Sequence, residues 1–452
     1  MIDRNACKEH LCGLLKYPTV SDIEESSMDF KAFEEMHGYM EAAYPLLHKT
    51  LKKKKIGKAG LLYCWPGGNG RGPKPLLLMA HQDVVPAGDL EKWHYPPFGG
   101  IADEKYIYGR GAIDCKGHLA AQLEGIEALI RDGFWPNYDL YLFYGYNEEI
   151  RGENVQSSAE EAARYLESQG LSFGMILDEG GGMKAAKQYG IPDGLCTVML
   201  AEKGYADVEI SCNCPGGHSS KPYKNGALKQ IAEAILALEQ HPWPYRITDT
   251  NKKRYERLAP YIRKVNVKLG TLLIDMEANW EKLKPFIDRD PEMAAMFHTT
   301  MVPTVVSGAK QANILPEKAS VIVNCRLLEG DTLAALEAYI KSVIPKGLEV
   351  RLLNGNEASK VSLYEGSEKD LLVQVCRELY GGQIVEIPDL LLAGTDARHM
   401  YALSDRVYRF SPFFKREELP AAHSVNECLG ITTLAEGAEF YYRMLKRYNR
   451  IQ

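Results

Sequence analysis

The chain has 452 residues, of which 45% are hydrophobic and 25% charged, and a formal net charge of -6. Its length exceeds what one hydrophobic core usually organises, so two domains are expected. There is no basic footprint for nucleic acid, and no apolar run approaches the ~18 residues of a membrane span.

The first residues, MIDRNACKEHLCGLL, carry charges throughout and lack the apolar stretch of a secretory signal. Ten cysteines are scattered along the chain without paired zinc-ribbon spacing. In a large chain this points to reduced thiols and a cytoplasmic protein. Cys212-x-Cys214, the one close pair, is too tightly spaced for the usual chelating loops and is expected to be strand-end packing. The run Lys52 to Lys55 reads as a solvated turn.

Residues 1–199 alternate apolar strands (LLYCW, KPLLLMAH, LYLFYGY, GMILDEG) with helical patterns such as SSAEEAARYLESQG. This rhythm predicts an α/β fold with a helix-flanked, mostly parallel sheet. KPLLLMAH ends in His81. Asp83 follows two positions on, on the same side of an extended chain, where it can accept the second ring N–H of His81 and fix it as a metal ligand. YIYGRGAIDCKGH then sets Asp114 in a loop bracketed by Gly109, Gly111 and Gly117, ahead of the apolar-periodic stretch from Leu119 to Ile130. LYLFYGYNEEIRG delivers Glu148 and Glu149 at the C-terminal end of a strand, and FGMILDEGGG delivers Asp178 and Glu179 before three glycines.

From about residue 200 the pattern changes. YADVEISC, ASVIVNCRLLEG and GLEVRLLNG read as strands; ALKQIAEAILALEQ and DTLAALEAYIKSVI read as helices. That order predicts an α+β open-faced sandwich over 200–356, a lid or dimerisation domain inserted into the first. Within it, residues 243–300 form a helical insertion whose Trp243, Trp280, Phe286 and Phe297 either cover a hydrophobic substrate pocket or make the insertion's own core. The first domain resumes over 357–452 with further helices, and His423 stands there in PAAHSVNE.

Histidines and carboxylates placed after apolar runs match the rule that open α/β sheets bind ligands at the carboxyl ends of their strands. Two histidines and three carboxylates suit two divalent cations, zinc foremost, with cobalt or manganese as substitutes. Asp114, in its glycine-rich loop, is the candidate to bridge metals about 3.5–4 Å apart. Adjacent acids at a strand end point to opposite sides, so one of Glu148 and Glu149 can ligate while the other faces a water as general base.

The chain resembles the co-catalytic zinc exopeptidases and amidohydrolases that include aminoacylase, glutamate carboxypeptidase and succinyl-diaminopimelate desuccinylase. It is most similar to the carboxypeptidase S branch, which also holds the N-acyl amino acid hydrolases. The resemblance runs from about residue 75 to 445 through MAHQDVVPA, WHYPPFGG, YGRGAIDCKG, YNEEIRG, LDEGG, PGGHSSKP, GAKQANILP, GTDARHM, YRFSP and HSVNE. It implies that His81 and Glu179 hold one zinc, Glu149 and His423 the other, and that Asp114 bridges. Asp83 orients His81, and Glu148 takes a proton from the attacking water and returns it to the leaving amine. In LDEGG, Asp178 competes with Glu179 as the ligand. The resemblance further assigns His218 to the substrate carbonyl, from a partner subunit or after domain closure, Asn313 to the same carbonyl or the substrate, and Arg398 to a terminal carboxylate. His94, His118 and His399 are expected to be structural.

Two positions depart from the family pattern. Cys115-Lys116 follows the bridging aspartate where relatives often have a second acid or a methionine, and a cis peptide after Asp114 is still expected. Gln82 stands where Thr, Ser or Phe is commoner, and is expected to point away from the metal.

The implied protein is a dinuclear zinc hydrolase acting on an amide next to a free C-terminal carboxylate. It would be a carboxypeptidase, a dipeptidase or an N-acyl amino acid deacylase, with a small-molecule substrate and homodimerisation through the inserted domain. Two alternatives stay open: an aminopeptidase that reads a free N-terminus, and a catalytically silent metal-binding scaffold.

Overall fold

A computed structural model describes residues 2–68, 72–152, 155–416 and 419–451. The apolar run Leu76–His81 is buried along its whole length because both faces of its sheet are covered. Leu76, Leu78 and Ala80 pack with Leu119, Leu123 and Tyr441 on one side. Leu77 and Met79 meet Phe143, Ala162 and Leu166 on the other. The layers are the helices Arg4–Leu14, Lys116–Arg131 and Ile431–Tyr448 on the first face and Ser158–Ser168 on the second. Gly125 allows the close crossing of two of these helices, since a Cβ there would lie 2.9 Å from the Ala438 carbonyl oxygen.

The sheet runs in the order Lys52–Ile56, Gly60–Trp65, Leu140–Gly145, Leu76–His81, Met175–Asp178, Val407–Arg409, Ile191–Glu202, Val385–Leu391. Its centre is parallel: the Leu76–His81 strand pairs in parallel with Leu140–Gly145 and Met175–Asp178, and the latter with Val407–Arg409. Three neighbouring parallel strands therefore end side by side, at His81, just before Glu148 and Glu149, and just before Glu179. A small sheet pairs Cys428–Gly430 with Tyr106–Tyr108, which ties the loop before residue 428 to the loop that follows residue 108. His423 and Asp114 lie on those two loops.

A second sheet, antiparallel, uses residues 204–356 alone, in the order Thr300–Ser307, Lys318–Leu327, Gly204–Asn213, Glu349–Asn356. Strict alternation of burial along Lys318–Leu327 presents Val321, Val323 and Leu327 to the helices Ala227–Gln240 and Leu333–Val343. This is the predicted open-faced sandwich. Cys212 and Cys214 pack at its strand end, their thiols against the Ala227 and Asn225 carbonyls.

One detail differs from expectation, and another decides between two alternatives. Lys52–Ile56 is an exposed edge strand paired with Gly60–Trp65, not a turn; lysines facing water on an edge discourage further strand pairing. The aromatic residues of the helical insertion do not line the cavity described below. Phe297 stacks on Tyr255 and touches Trp280 in a core with Ile191, Leu195 and Ile387 of the large sheet, with Phe286 at its margin. Trp243 packs on Tyr339 of the sandwich. Among the described residues no helix is long and apolar enough to cross a membrane.

Candidate metal centre

Two groups of donor atoms converge at the carboxyl ends of the central strands, each group lying within 4.8 Å. One is His81, Asp114, Cys115 and Glu179; the other is Asp114, Glu149 and His423. Asp114 belongs to both, with its two oxygens facing different histidines: Oδ1 is 2.8 Å from His81 Nε2 and Oδ2 is 3.2 Å from His423 Nε2. Glu179 Oε1 lies 3.1 Å from His81 Nε2, and Glu149 Oε2 lies 3.0 Å from His423 Nε2. The Asp114–Cys115 peptide is cis, as expected from the family pattern.

Asp178 turns away from this cluster. Its Oδ1 accepts the Glu179 amide and its Oδ2 the Ala397 amide, both at 2.9 Å. Asp178 therefore organises the backbone on either side while Glu179 enters the donor group. Gln82 also turns away and donates to the carbonyls of Ala59 and Tyr144.

His81 is oriented from behind by Asp83, through two acceptors. Nδ1 lies 3.0 Å from the Asp83 carbonyl and 3.3 Å from the carboxylate Oδ1. The same carboxylate also holds two backbone amides, Oδ1 accepting that of Glu148 at 3.2 Å and Oδ2 that of Glu149 at 3.1 Å. Despite complete burial, the hydrogen bond and charge of His81 hold the Asp83 carboxyl below the usual carboxylate range.

The donor set fits divalent cations electrostatically as well as by atom type. Burial, then Asp114, pushes the Glu179 carboxyl up to about 7, and burial raises Glu149. Its hydrogen bonds to Asp114 and Glu149 push His423 up to about 10. Such carboxylates, packed without enough positive charge, form a site that cations complete.

Glu148 stands beside both groups in an open cavity of about 530 Å³ that Asp114, Glu149, Glu179 and His423 also line. Burial pushes its carboxyl well above the usual range, and its Oε1 has no hydrogen-bond partner. Arg398 Nη1 is 3.8 Å from that oxygen and also donates to the Thr395 carbonyl at 2.8 Å. Arg398 lies behind Glu148 and is not among the residues lining the cavity; Arg151 and Arg326 are. His218 and Asn313 are exposed on a short ladder of Gly217–His218 with Ile314–Leu315, where Ser219 N donates to the Asn313 carbonyl; neither lines the cavity. Of the histidines expected to be structural, His118 is buried with Nε2 against the Tyr441 hydroxyl. His94 is exposed, its amide donating to Asn426. His399 is partly buried with Nε2 unpartnered.

Sequence reasoning missed Glu427 and Arg110. Glu427 is fully buried and accepts from Arg110 Nη1 at 2.7 Å and from the amides of Gly111, Ile113 and Asp114 at 3.1, 2.7 and 3.1 Å. Arg110 Nη2 in turn donates to the His423 carbonyl at 3.2 Å. The pair thus fastens the two loops that carry Asp114 and His423. The only sequence signal is that Glu427 closes the HSVNE block.

The chain is similar along almost its whole length to known proteins. Carboxypeptidase S of Saccharomyces cerevisiae is 29% identical, over 99% of this chain and 84% of its own length. The N-fatty-acyl-amino acid synthase/hydrolase PM20D1 of Mus musculus is 26% identical, over 98% of this chain and 88% of its own. The crystal structure of the M20 family metallo-carboxypeptidase Sso-CP2 from Sulfolobus solfataricus superposes with a TM-score of 0.72 at 20% identity, covering all of both chains. The profile described as Peptidase family M20/M25/M40 matches residues 77–447. The chain belongs to that family, and is a metal-dependent hydrolase of amide bonds in small-molecule substrates.

Proposed function

We propose that this protein cleaves an amide next to a free C-terminal carboxylate, as a carboxypeptidase, a dipeptidase or an N-acyl amino acid deacylase. One observation carries the reading: two donor clusters share Asp114, and the buried Glu148 stands beside them with a free carboxylate oxygen. In this reading His81 and Glu179 hold one zinc, Glu149 and His423 hold the other, and Asp114 spans both; cobalt or manganese substitutes. Metals held there would supply Lewis-acid polarisation of a carbonyl and a more acidic water. Glu148 takes the proton from the attacking water and returns it to the leaving amine. Asp83 keeps His81 and the Glu148–Glu149 backbone in register for that transfer. Arg326, on the cavity wall, meets the substrate's terminal carboxylate, with Arg398 supplying positive charge from behind Glu148.

Residues 1–199 and 357–452 form the catalytic domain in this reading, and 200–356 the inserted domain. The edge strand Thr300–Ser307 exposes Val302, Val305 and Val306, and a second copy pairing there forms a homodimer. His218 and Asn313, exposed on the same domain, reach the carbonyl of a substrate in the partner or after closure. A cytoplasmic location accords with the scattered cysteines.

The deciding experiment compares N-acyl amino acids and dipeptides with their C-terminal amides, using protein loaded with zinc, cobalt or manganese and reading released amine. A carboxylate reader loses about 100-fold or more in kcat/KM on the amide. Equal rates on both, with a requirement for a free N-terminus, indicate an aminopeptidase. Loaded protein inert toward the whole panel overturns the catalytic reading in favour of a metal-binding scaffold.

A further inference from the structure

Two guanidiniums line the cavity beside the metal centre and a third lies against Glu148, more than one substrate carboxylate needs. Arg151, in the loop directly after Glu148 and Glu149, places Nη2 4.0 Å from Glu148 Oε1, and its guanidinium carbon lies 5.6 Å from the centre of the Tyr205 ring. Arg326 reaches the same ring from the sandwich sheet, at 4.8 Å. Arg398 lies 3.8 Å from Glu148. Among the described residues, Glu148 is the one carboxylate within 4.0 Å of any of the three guanidiniums.

This placement is built into the fold. Tyr205 is fixed by its hydroxyl, which donates to Asp207 Oδ2 at 2.7 Å, so the ring is a firm platform for both arginines. Gly394 stands against Arg151: a Cβ there would lie 2.6 Å from Arg151 Nη2, so the glycine leaves room for the guanidinium to enter the cavity.

We infer that Arg151 reads a second carboxylate, so that the preferred substrates are amides carrying an acidic group in addition to the terminal carboxylate. This rests on the reading above, in which Arg326 and Arg398 answer to the terminal carboxylate. A guanidinium on an aromatic platform presents a planar fork suited to two-point contact with a carboxylate. The second carboxylate lies either on the side chain of the released amino acid or on the acyl group.

The test measures kcat/KM of metal-loaded enzyme on two matched pairs, N-acetyl-glutamate against N-acetyl-glutamine and N-succinyl-methionine against N-acetyl-methionine. The acidic member is favoured by about tenfold or more in one pair, and the pair in which this happens locates the second carboxylate. In Arg151→Gln the preference falls toward unity, and Arg151→Lys restores part of it. Equal rates within both pairs, or an unchanged ratio in Arg151→Gln, overturn the inference while leaving the amide-hydrolase reading intact. If no member of the panel is cleaved, the N-acyl amino acid deacylase reading fails instead. Calorimetric binding of glutarate and its monoamide then decides the role of Arg151: tighter glutarate binding that Arg151→Gln abolishes supports it, and equal binding overturns it.

Discussion

Asp83 holds Glu148 through the main chain: its carboxylate accepts the Glu148 amide at 3.2 Å while the same oxygen lies 3.3 Å from His81 Nδ1. One buried side chain therefore sets the relation between a metal-ligating candidate and the candidate base. Asp83→Ala leaves His81 without its carboxylate partner and two backbone amides without acceptors. The variant should fold and still bind metal, with affinity and activity each reduced by about 10–100-fold. Metal titration alongside kcat measures both, and wild-type turnover in Asp83→Ala would remove the positioning role.

Glu148 and its neighbours are separable by metal content. Glu148→Gln keeps the shape of the side chain and alters none of the donor-group residues, so it should retain metal while kcat falls by about 10²–10⁴. His81→Ala and Asp114→Ala should lose metal and activity together, Asp114→Ala the more completely because it belongs to both donor groups. Inductively coupled plasma mass spectrometry on the three purified variants provides the comparison. Equal metal loss in all three would refute the division of roles.

The parts of the centre legible in the sequence are those carried on strand ends and glycine-rich loops. His81, Glu149 and Glu179 follow apolar runs that become neighbouring parallel strands, so the ends of those runs meet once the sheet forms. Asp178 and Glu179 are indistinguishable by pattern because adjacent residues at a strand end differ only in which way the chain turns. The Ala397 amide, far along the chain, is what draws Asp178 aside. Arg151 and Glu427 are hidden for a related reason. The setting of Arg151 depends on Tyr205 and Gly394, and that of Glu427 on the Arg110–Asp114 loop, contacts that local periodicity does not encode. Lys52–Lys55 lacks the alternation of a half-buried strand and so resembles a turn, yet its ladder to Gly60–Trp65 makes it an edge.

His10 links pH to stability away from the metal centre. Its Nδ1 lies 2.5 Å from Glu124 Oε1, and this hydrogen bond raises the His10 pKa above its ordinary 6.5 in spite of partial burial. Because the folded value is the higher one, the stabilisation is fully present below about pH 6.5 and is lost as pH rises through the folded value. His10→Gln should therefore lower Tm by about 1–3 °C at pH 6, with the gap narrowing as pH rises above 6.5. Thermal unfolding of both proteins across that range checks it, and a gap that is constant or widens with pH would contradict the assignment.

Glu427 offers the sharpest test of how the centre is held. Its two oxygens accept from one guanidinium and three amides, including that of Asp114, and Arg110 carries the connection onward to the His423 carbonyl. Glu427→Gln keeps the volume but turns one acceptor oxygen into a donor that faces other donors, and leaves the Arg110 guanidinium buried without its counter-charge. Removing one partner of a buried pair costs about 3–5 kcal/mol. Replacing both partners by apolar residues, as in Arg110→Met with Glu427→Leu, costs less than the sum of the two single changes, because no charge is stranded. Glu427→Gln should also weaken metal binding, since the Asp114 and His423 loops are no longer fastened to each other, and raising the zinc concentration should recover part of the activity. Unfolding curves and metal titrations on the two single variants and the double variant separate these effects. Wild-type Tm and metal affinity in Glu427→Gln would show that the two loops hold their positions without it.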